Sequence, residues 1–254
     1  MFRLDGRVAL ITGAGQGIGL ATARALAVQG ADVALNDLDP ARAEAATRVI
    51  AALGGRTVAV PADVIDETEV AAMVERCVAE LGGLDILVNN AGGSGGSAGP
   101  IEALSLDAWE RVQRLNVTSA FLCIRAALPH LKRRGGRIVN VSSLAGVSRS
   151  IIGGAAYASA KAAVLGLTRH LSGELGPYGI TVNAVAPGLT FTERVEATFA
   201  ARPEADRQVT LGRIPLGRAG APEDPAAAVA FLCSDEAAYI TGATVDVNGG
   251  INVR

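Results

Sequence analysis

Tyr157 and Lys161, in the run Tyr157-Ala158-Ser159-Ala160-Lys161, are the two side chains whose types and spacing speak first. At i and i+4 on a helix they share one face, with Cβ atoms about 5–6 Å apart. A phenol acting as a general base near neutrality must have its pKa of about 10 lowered by a few units, each about 1.4 kcal/mol. A neighbouring ammonium favours the phenolate. Pairs of this spacing also decorate solvated helix faces, so the chemical reading needs company. Ser142 and Ser143 supply hydroxyls directly after the apolar run Ile138–Val141. Near the N-terminus, Thr12-Gly13-Ala14-Gly15-Gln16-Gly17-Ile18-Gly19 stands between an apolar run and a helical stretch. Such glycines let backbone N–H groups approach a phosphate at a helix start, although a glycine-rich turn is by itself only a turn. The loop lacks the Lys-Ser/Thr ending of a nucleotide triphosphatase loop, which argues against ATP or GTP.

Asp37 lies about 20 residues beyond that loop, as expected of an acid that takes the adenosine ribose hydroxyls. A helix N-terminal acid is the bland alternative, but Asp39 already fills that place before Pro40. An acid at position 37, followed by Leu38, repels a 2′-phosphate, and the loop carries no Arg or Lys to attract one; NAD is favoured over NADP. Asp63 and Val64 could bracket an adenine ring, or Asp63 could simply open a helix. Asn89-Asn90-Ala91-Gly92 closes a further apolar run.

These residues recur at the ends of short apolar runs, and the elements that hold them follow from that. Strands are predicted at Val8–Thr12, Asp32–Asn36, Thr57–Val60, Ile86–Asn89, Ile138–Val141, Thr181–Ala186 and Thr244–Val247. Helices are predicted at Ile18–Gln29, Pro40–Ala52, Glu67–Leu81, Asp107–Leu128, Ala156–Leu175 and Pro225–Leu232, with Asp66 and Glu69 as an Asp variant of the capping box. Strands apolar on both faces, alternating with helices, call for a doubly wound, Rossmann-like parallel α/β sheet covered on both sides. All carboxyl ends then share one edge, where ligands bind. No break in composition divides residues 1–254, so a single NAD-binding catalytic domain is expected.

The segment 189–222 is the least regular. Phe191, Val195 and Phe199 alternate with Glu193, Arg194 and Glu196 at helical spacing, which predicts a short amphipathic helix closing over substrate, or else a static cap on the sheet edge.

Composition removes several classes of function. With 23 basic and 25 acidic residues the net charge is −2, which gives no field for nucleic acid. No apolar run approaches the ~20 residues of a membrane helix, and the N-terminus lacks a signal-peptide stretch. Cys77, Cys123 and Cys233 are odd in number and widely spaced, which suits a reducing cytosol. His130 and His170 show no acidic or thiol partner at metal spacing, so no metal site is expected. Lys132-Arg133-Arg134 reads as a solvated turn and Trp109 as packing. The apolar stretch Leu115–Leu128 and the small-residue stretch Ala156–Gly166 suggest a subunit interface.

Taken together, the chain resembles a short-chain dehydrogenase/reductase over essentially its whole length. The motifs occur in order: Thr12-Gly13-x-x-x-Gly17-x-Gly19, Asn89-Asn90-Ala91-Gly92, Asn116, Ser143, Tyr157-x-x-x-Lys161 and Pro187-Gly188. The resemblance implies Tyr157 as acid/base, Lys161 on the nicotinamide ribose and lowering the Tyr pKa, Ser143 on the substrate oxygen, and Asn116 holding a water in a proton relay. It implies that Pro187 and Gly188 pass the nicotinamide with Leu189 and Thr192 near its carboxamide, and that the assembly is a homotetramer. Three departures stand out. Ser143 and Tyr157 are one residue further apart than is usual, so Val147–Ala155 is expected to carry an insertion; Ser143 rather than Ser142 is chosen for its Ser-x-x-Gly context. Thr190 replaces the usual Ile or Val. Gly93–Gly99 is unusually rich in glycine and leaves the substrate mouth open.

The expected activity is NAD-dependent interconversion of a secondary alcohol and a ketone in the cytoplasm. Few charges are foreseen on the pocket wall, which favours a sugar, polyol, cyclic alcohol or hydroxysteroid. The rivals are a 3-oxoacyl-carrier-protein reductase, for which Arg125, Lys132, Arg133 and Arg134 would dock the carrier, and an NAD(H)-sensing binding protein without turnover.

Overall fold

The computed structural model describes residues 2–96, 98–150 and 153–253. Met1, Ser97, Ile151, Ile152 and Arg254 lie outside the described residues. Parts of two expectations go with them: Ser97 of the run Gly93–Gly99, and Ile151 and Ile152 of the segment expected to hold the insertion.

Strands β1 (Val8–Ile11), β2 (Asp32–Leu35), β3 (Thr57–Ala59), β4 (Ile86–Asn89), β5 (Gly136–Val141), β6 (Ile180–Pro187) and β7 (Thr244–Val247) form one parallel sheet in the order β3-β2-β1-β4-β5-β6-β7. Around them run α1 (Gly17–Val28), α2 (Pro40–Ala51), α3 (Glu67–Leu81), α4 (Leu106–Gln113), α5 (Ser119–Leu131), α6 (Leu144–Val147), α7 (Ala155–Leu175), α8 (Glu193–Ala200), α9 (Glu204–Gly212) and α10 (Glu223–Cys233). The order reverses between β1 and β4, and a crevice opens at the carboxyl ends there.

Alternation along β1 shows why the strands read as unbroken apolar runs. Val8 and Leu10 join Met73, Cys77, Leu122, Ala127 and Leu175 on one face. Ala9 and Ile11 join Ala23, Leu26, Ile50, Val229 and Leu232 on the other. Each fully buried Val, Leu or Ile contributes about 1.5–3 kcal/mol.

Asp39 caps α2 as expected, accepting from the Ala41 and Arg42 N–H groups. Asp66 likewise caps α3, accepting from Thr68 and Glu69 N at 2.9 Å each. The capping box is not closed, because Glu69 reaches past Asp66 and accepts from Asp63 N at 2.7 Å.

The continuous helix expected over Asp107–Leu128 is interrupted. Between α4 and α5 lies a π-helical turn, Arg114–Thr118. Asn116 Nδ2 donates to the Val112 carbonyl at 2.9 Å and the Ser119 hydroxyl to the Leu115 carbonyl at 2.6 Å. With side chains on those carbonyls, Ser119 N bonds Arg114 O across the wider turn.

Segment 189–222 holds two helices rather than one. Leu189, Phe199 and Ile214 form a satellite core with Phe191, Val195 and Leu211 around it. The rings of Phe191 and Phe199 lie 5.2 Å apart. The apolar face of α8 packs on α9 and on Ile251, while Leu189 and Val195 also border the cleft at the sheet edge.

Both histidines also differ from expectation in having an acidic neighbour. His130 Nε2 meets Glu75 at 3.0 Å, and His170 Nε2 lies 3.6 Å from Glu174. Each histidine has a single carboxylate neighbour, and among the described residues no group of three His, Cys, Asp or Glu is arranged to hold a metal ion.

Candidate active site

A cleft of about 440 Å³ occupies the crevice between β1 and β4, within the ~300–1,000 Å³ of small-molecule sites. Of the glycine loop, Gly13, Gln16, Gly17 and Ile18 line it. Gln16 gives α1 no side-chain cap, and the first turn has no acid. Its N–H groups and the positive end of the helix dipole are thus open to an anion such as a pyrophosphate.

Gly15 and Gly19 stand behind the cleft and do not line it. A Cβ on Gly15 would lie 2.5 Å from an Asp37 carboxylate oxygen, and one on Gly19 would lie 2.2 Å from the Gly13 carbonyl. Gly17, at φ +56, lets the Thr192 methyl come to 2.9 Å of where its Cβ would be. Loop and cleft floor can close on one another only with glycine at these places.

Asp37 and Leu38 line the adenosine end, with Asp63 and Val64 opposite. Asp37 accepts from Gly15 N at 3.2 Å and from Asp39 N at 3.0 Å. Asp63 also serves the turn before α3, accepting from Ile65 N at 3.1 Å. Two residues here escaped the sequence reading. Asn36 accepts from Gly13 N at 3.3 Å and donates to the Val60 and Ala62 carbonyls at 3.1 Å each. A polar residue ending an apolar run was its only signal. Arg42 on α2 brings its Nε to 3.6 Å from Asp37 and 3.2 Å from Asp39. The glycine loop carries no base, yet the fold sets one beside it.

Asn90, Ala91 and Gly92 join the cleft from β4, and Pro187, Gly188, Leu189 and Thr192 from β6. Asn90 Nδ2 donates to the Thr12 and Gly13 carbonyls at 2.9 Å each, which ties the two loops together. Asn116 does not line the cleft. It is buried behind Gly92 and Gly93, accepting from Gly93 N at 3.0 Å and donating to Gly93 O at 2.9 Å. A Cβ on Gly92 would stand 2.6 Å from Asn116 Oδ1 and 3.1 Å from Lys161 Nζ.

The structure separates the two serines. Ser142 is buried and donates to the Lys161 carbonyl at 2.8 Å. Ser143 opens α6, accepting from Ala145 N at 3.1 Å, and lines the cleft with Tyr157, close enough to act on its phenol. Lys161 Nζ lies 5.7 Å from the centre of the Tyr157 ring and donates to the Val141 carbonyl at 2.8 Å. Burial, reinforced by the charge of Arg194, pushes the Lys161 ammonium down to about 8. Burial raises Tyr157 above the ordinary phenol value, opposed by the Ser143 hydroxyl and by Arg194. Lys161 thus combines its carbonyl partner with a place beside the Tyr157 ring, and Arg194 adds a second positive charge that acts on the phenol. Arg194 reads in sequence as part of a solvated helix face; the fold brings it into the cleft, close against Gly93.

A parallel sheet, a phosphate-ready glycine turn at its switch point and a Ser-Tyr-Lys cluster at the same edge define an oxidoreductase built around a nicotinamide nucleotide. The chain matches the family model described as enoyl-(acyl carrier protein) reductase over residues 13–252 and belongs to the short-chain dehydrogenase/reductase family. It is 44% identical over 248 residues to a cis-4-hydroxycyclohexanecarboxylate dehydrogenase of Sinomonas cyclohexanicum, covering 96% of each chain. It is 41% identical over 254 residues to a 3-oxoacyl-[acyl-carrier-protein] reductase of Synechocystis sp., covering 99% of each. Among solved structures, a 7α-hydroxysteroid dehydrogenase complexed with NADH and 7-oxo glycochenodeoxycholic acid aligns with a TM-score of 0.91 at 36% identity, covering 98% of this chain and 95% of that one. Among the described residues, no helix is long and apolar enough to cross a membrane.

Proposed function

We propose that the protein is an NAD-dependent dehydrogenase/reductase that interconverts a secondary alcohol and a ketone, with Tyr157 as the acid/base. The observation that carries this reading is that Ser143, Tyr157 and the buried Lys161 line one cleft, at the edge where the glycine loop is open to a pyrophosphate. Pro187, Gly188 and Lys161 would hold a nicotinamide nucleotide in the cleft, and it would supply hydride acceptance in oxidation and hydride donation in reduction. Ser143 donates to the substrate oxygen and holds it against the Tyr157 hydroxyl. Tyr157 takes the alcohol proton during oxidation and gives it back during reduction. Lys161, fixed on Val141 and beside Gly92, holds the nicotinamide ribose, and Asn116 braces the Gly92–Gly93 turn and the water of the proton relay.

Asp37 supports NAD over NADP: its carboxylate occupies the ribose end of the cleft, and Arg42 is engaged by Asp37 and Asp39. Cyclic alcohols and hydroxysteroids head the substrate list, with sugars and polyols behind, because relatives that act on a hydroxycyclohexane and on a steroid match nearly the whole chain. The 3-oxoacyl-carrier-protein alternative is supported by the Synechocystis relative. Against it, three of the four bases proposed to dock a carrier are occupied: Arg125 pairs with Glu67, Arg134 with Asp85, and Lys132 lies over the Tyr178 ring. A homotetramer built on α5 and α7 fits the 46% exposure of Phe121, and a reducing cytoplasm fits three free, buried cysteines.

The test is a panel of secondary alcohols with NAD, read as NADH absorbance. Tyr157→Phe is expected to lower turnover by ~10²–10⁴ while NAD still binds. NAD binding without turnover of any alcohol or ketone would leave the sensing protein as the reading.

A further inference from the structure

A second cavity, about 410 Å³, lies beside the main cleft and is lined by Arg149, Ser150, Arg202, Asp206, Val209, Thr210 and Arg213. Three guanidinium groups face one carboxylate there. None of the three arginines makes an ion pair within 4.0 Å among the described residues, and neither does Asp206. Arg202 is the built member of the set. Its guanidinium lies 6.0 Å from the centre of the Phe199 ring, and Phe199 is itself locked in the satellite core. One of its terminal nitrogens, Nη1, is buried with no hydrogen-bond partner. Three guanidinium groups around a single carboxylate leave an excess of positive charge, and an anion is the partner that complements it.

The position of this cavity says what the anion belongs to. Ser150 lines both cavities, so the two spaces meet at that residue. Ser150 Oγ accepts from Gly153 N at 2.8 Å, and Gly153 packs so closely on Tyr157 that a Cβ there would lie 2.5 Å from the ring. The arginine cavity thus adjoins the tyrosine side of the cleft, whereas Asp37 and the adenosine end lie across the switch point. Arg194, also without an ion pair among the described residues, lines the main cleft and is close enough to act on Tyr157.

We infer that the Arg149–Arg202–Arg213 cavity is an anion subsite for the tail of the substrate. The substrate class is then a secondary alcohol or ketone that carries a carboxylate or phosphate away from the reacting carbon. This rests on the dehydrogenase reading above and narrows it, replacing the neutral substrate expected from a wall with few charges. A carboxylate on the substrate itself and the phosphates of a carrier thioester share this chemistry, and two substrate pairs distinguish them.

The full chain is assayed with NAD on cyclohexanol against 4-hydroxycyclohexanecarboxylate. In the reverse direction it is assayed with NADH on acetoacetyl-N-acetylcysteamine against acetoacetyl-coenzyme A. The anionic member of one pair is expected to have a kcat/KM at least tenfold higher, and the double variant Arg149→Gln, Arg213→Gln is expected to erase that preference. A preference in the first pair identifies a substrate carboxylate, and one in the second identifies carrier phosphates. No preference in either pair, or a preference untouched by the double variant, overturns the subsite. If nothing in the panel is turned over, the dehydrogenase reading is what fails. The subsite is then read by calorimetry with cyclohexanecarboxylate and with inorganic phosphate. Binding that the double variant abolishes supports it, and absence of binding to the unmodified protein overturns it.

Discussion

Lys161 combines a buried ammonium, one carbonyl partner and a neighbouring arginine, and each has a measurable consequence. Its pKa is pushed down to about 8 from the ordinary 10.5. Between these values the unfolded chain binds more protons than the folded one, so this group's contribution to stability rises with pH across that window and is least below it. Lys161→Met lacks this term. Relative to the unmodified protein its Tm should be highest below pH ~8, and the gap should shrink as pH climbs toward the ordinary lysine range. A gap independent of pH would mean that the ammonium is not held at a cost.

The two serines make a second contrast. Ser143→Ala removes the hydroxyl that lines the cleft with Tyr157 and should lower turnover by roughly 10²-fold, as for the loss of one oxyanion-type donor. Ser142→Ala removes a bond to the Lys161 carbonyl and should act more mildly, chiefly on stability. At the other end of the cleft, Asp37→Ala with Leu38→Arg should move cofactor preference toward NADP, because an arginine can pair with the 2′-phosphate. Equal catalytic efficiency with NAD and NADP in the unmodified protein would remove the role given to Asp37.

At the scale of elements, the π turn and the α8–α9 pair do the positioning. The turn aims Asn116 at Gly93, inside the wall and away from solvent. The α8–α9 pair owes its cohesion to Phe199, which is 5% exposed. Phe199→Ala should cost about 3–5 kcal/mol of local stability. Amide exchange should then speed up through Glu193–Gly212, with the sheet core unchanged. Because Arg202 leans on the same ring, the variant should also blunt any preference for anionic substrates. Uniform acceleration over the whole chain would instead make the satellite core part of the main one.

At the scale of the whole molecule, the seven-stranded parallel sheet brings residues from positions 13 to 195 to one edge. The assembly prediction belongs here. If α5 and α7 form the tetramer contact, Phe121→Glu should lower the mass measured by light scattering, since a charge would have to be desolvated in an apolar interface. An unchanged mass would move the interface elsewhere or remove it.

Local patterns alone determined the sheet class, the glycine turn, the Asp37 position and the Tyr157–Lys161 face. Strand apolarity, helix spacing and loop chemistry are short-range properties, written within a few residues of where they act. The choice of Ser143 over Ser142 also came from its neighbours in sequence. Tertiary structure alone decided what depends on side chains from distant elements meeting. Examples are the π turn, where Asn116 finds Gly93 across 23 positions, the arrival of Arg42 beside Asp37, and the turning of Lys161 toward Val141. The same holds for segment 189–222, whose apolar face is covered by α9 and Ile251, and for Arg149, which stands 53 positions before Arg202 and lines one cavity with Arg202 and Arg213 only because the α8–α9 segment lies beside the loop after α6.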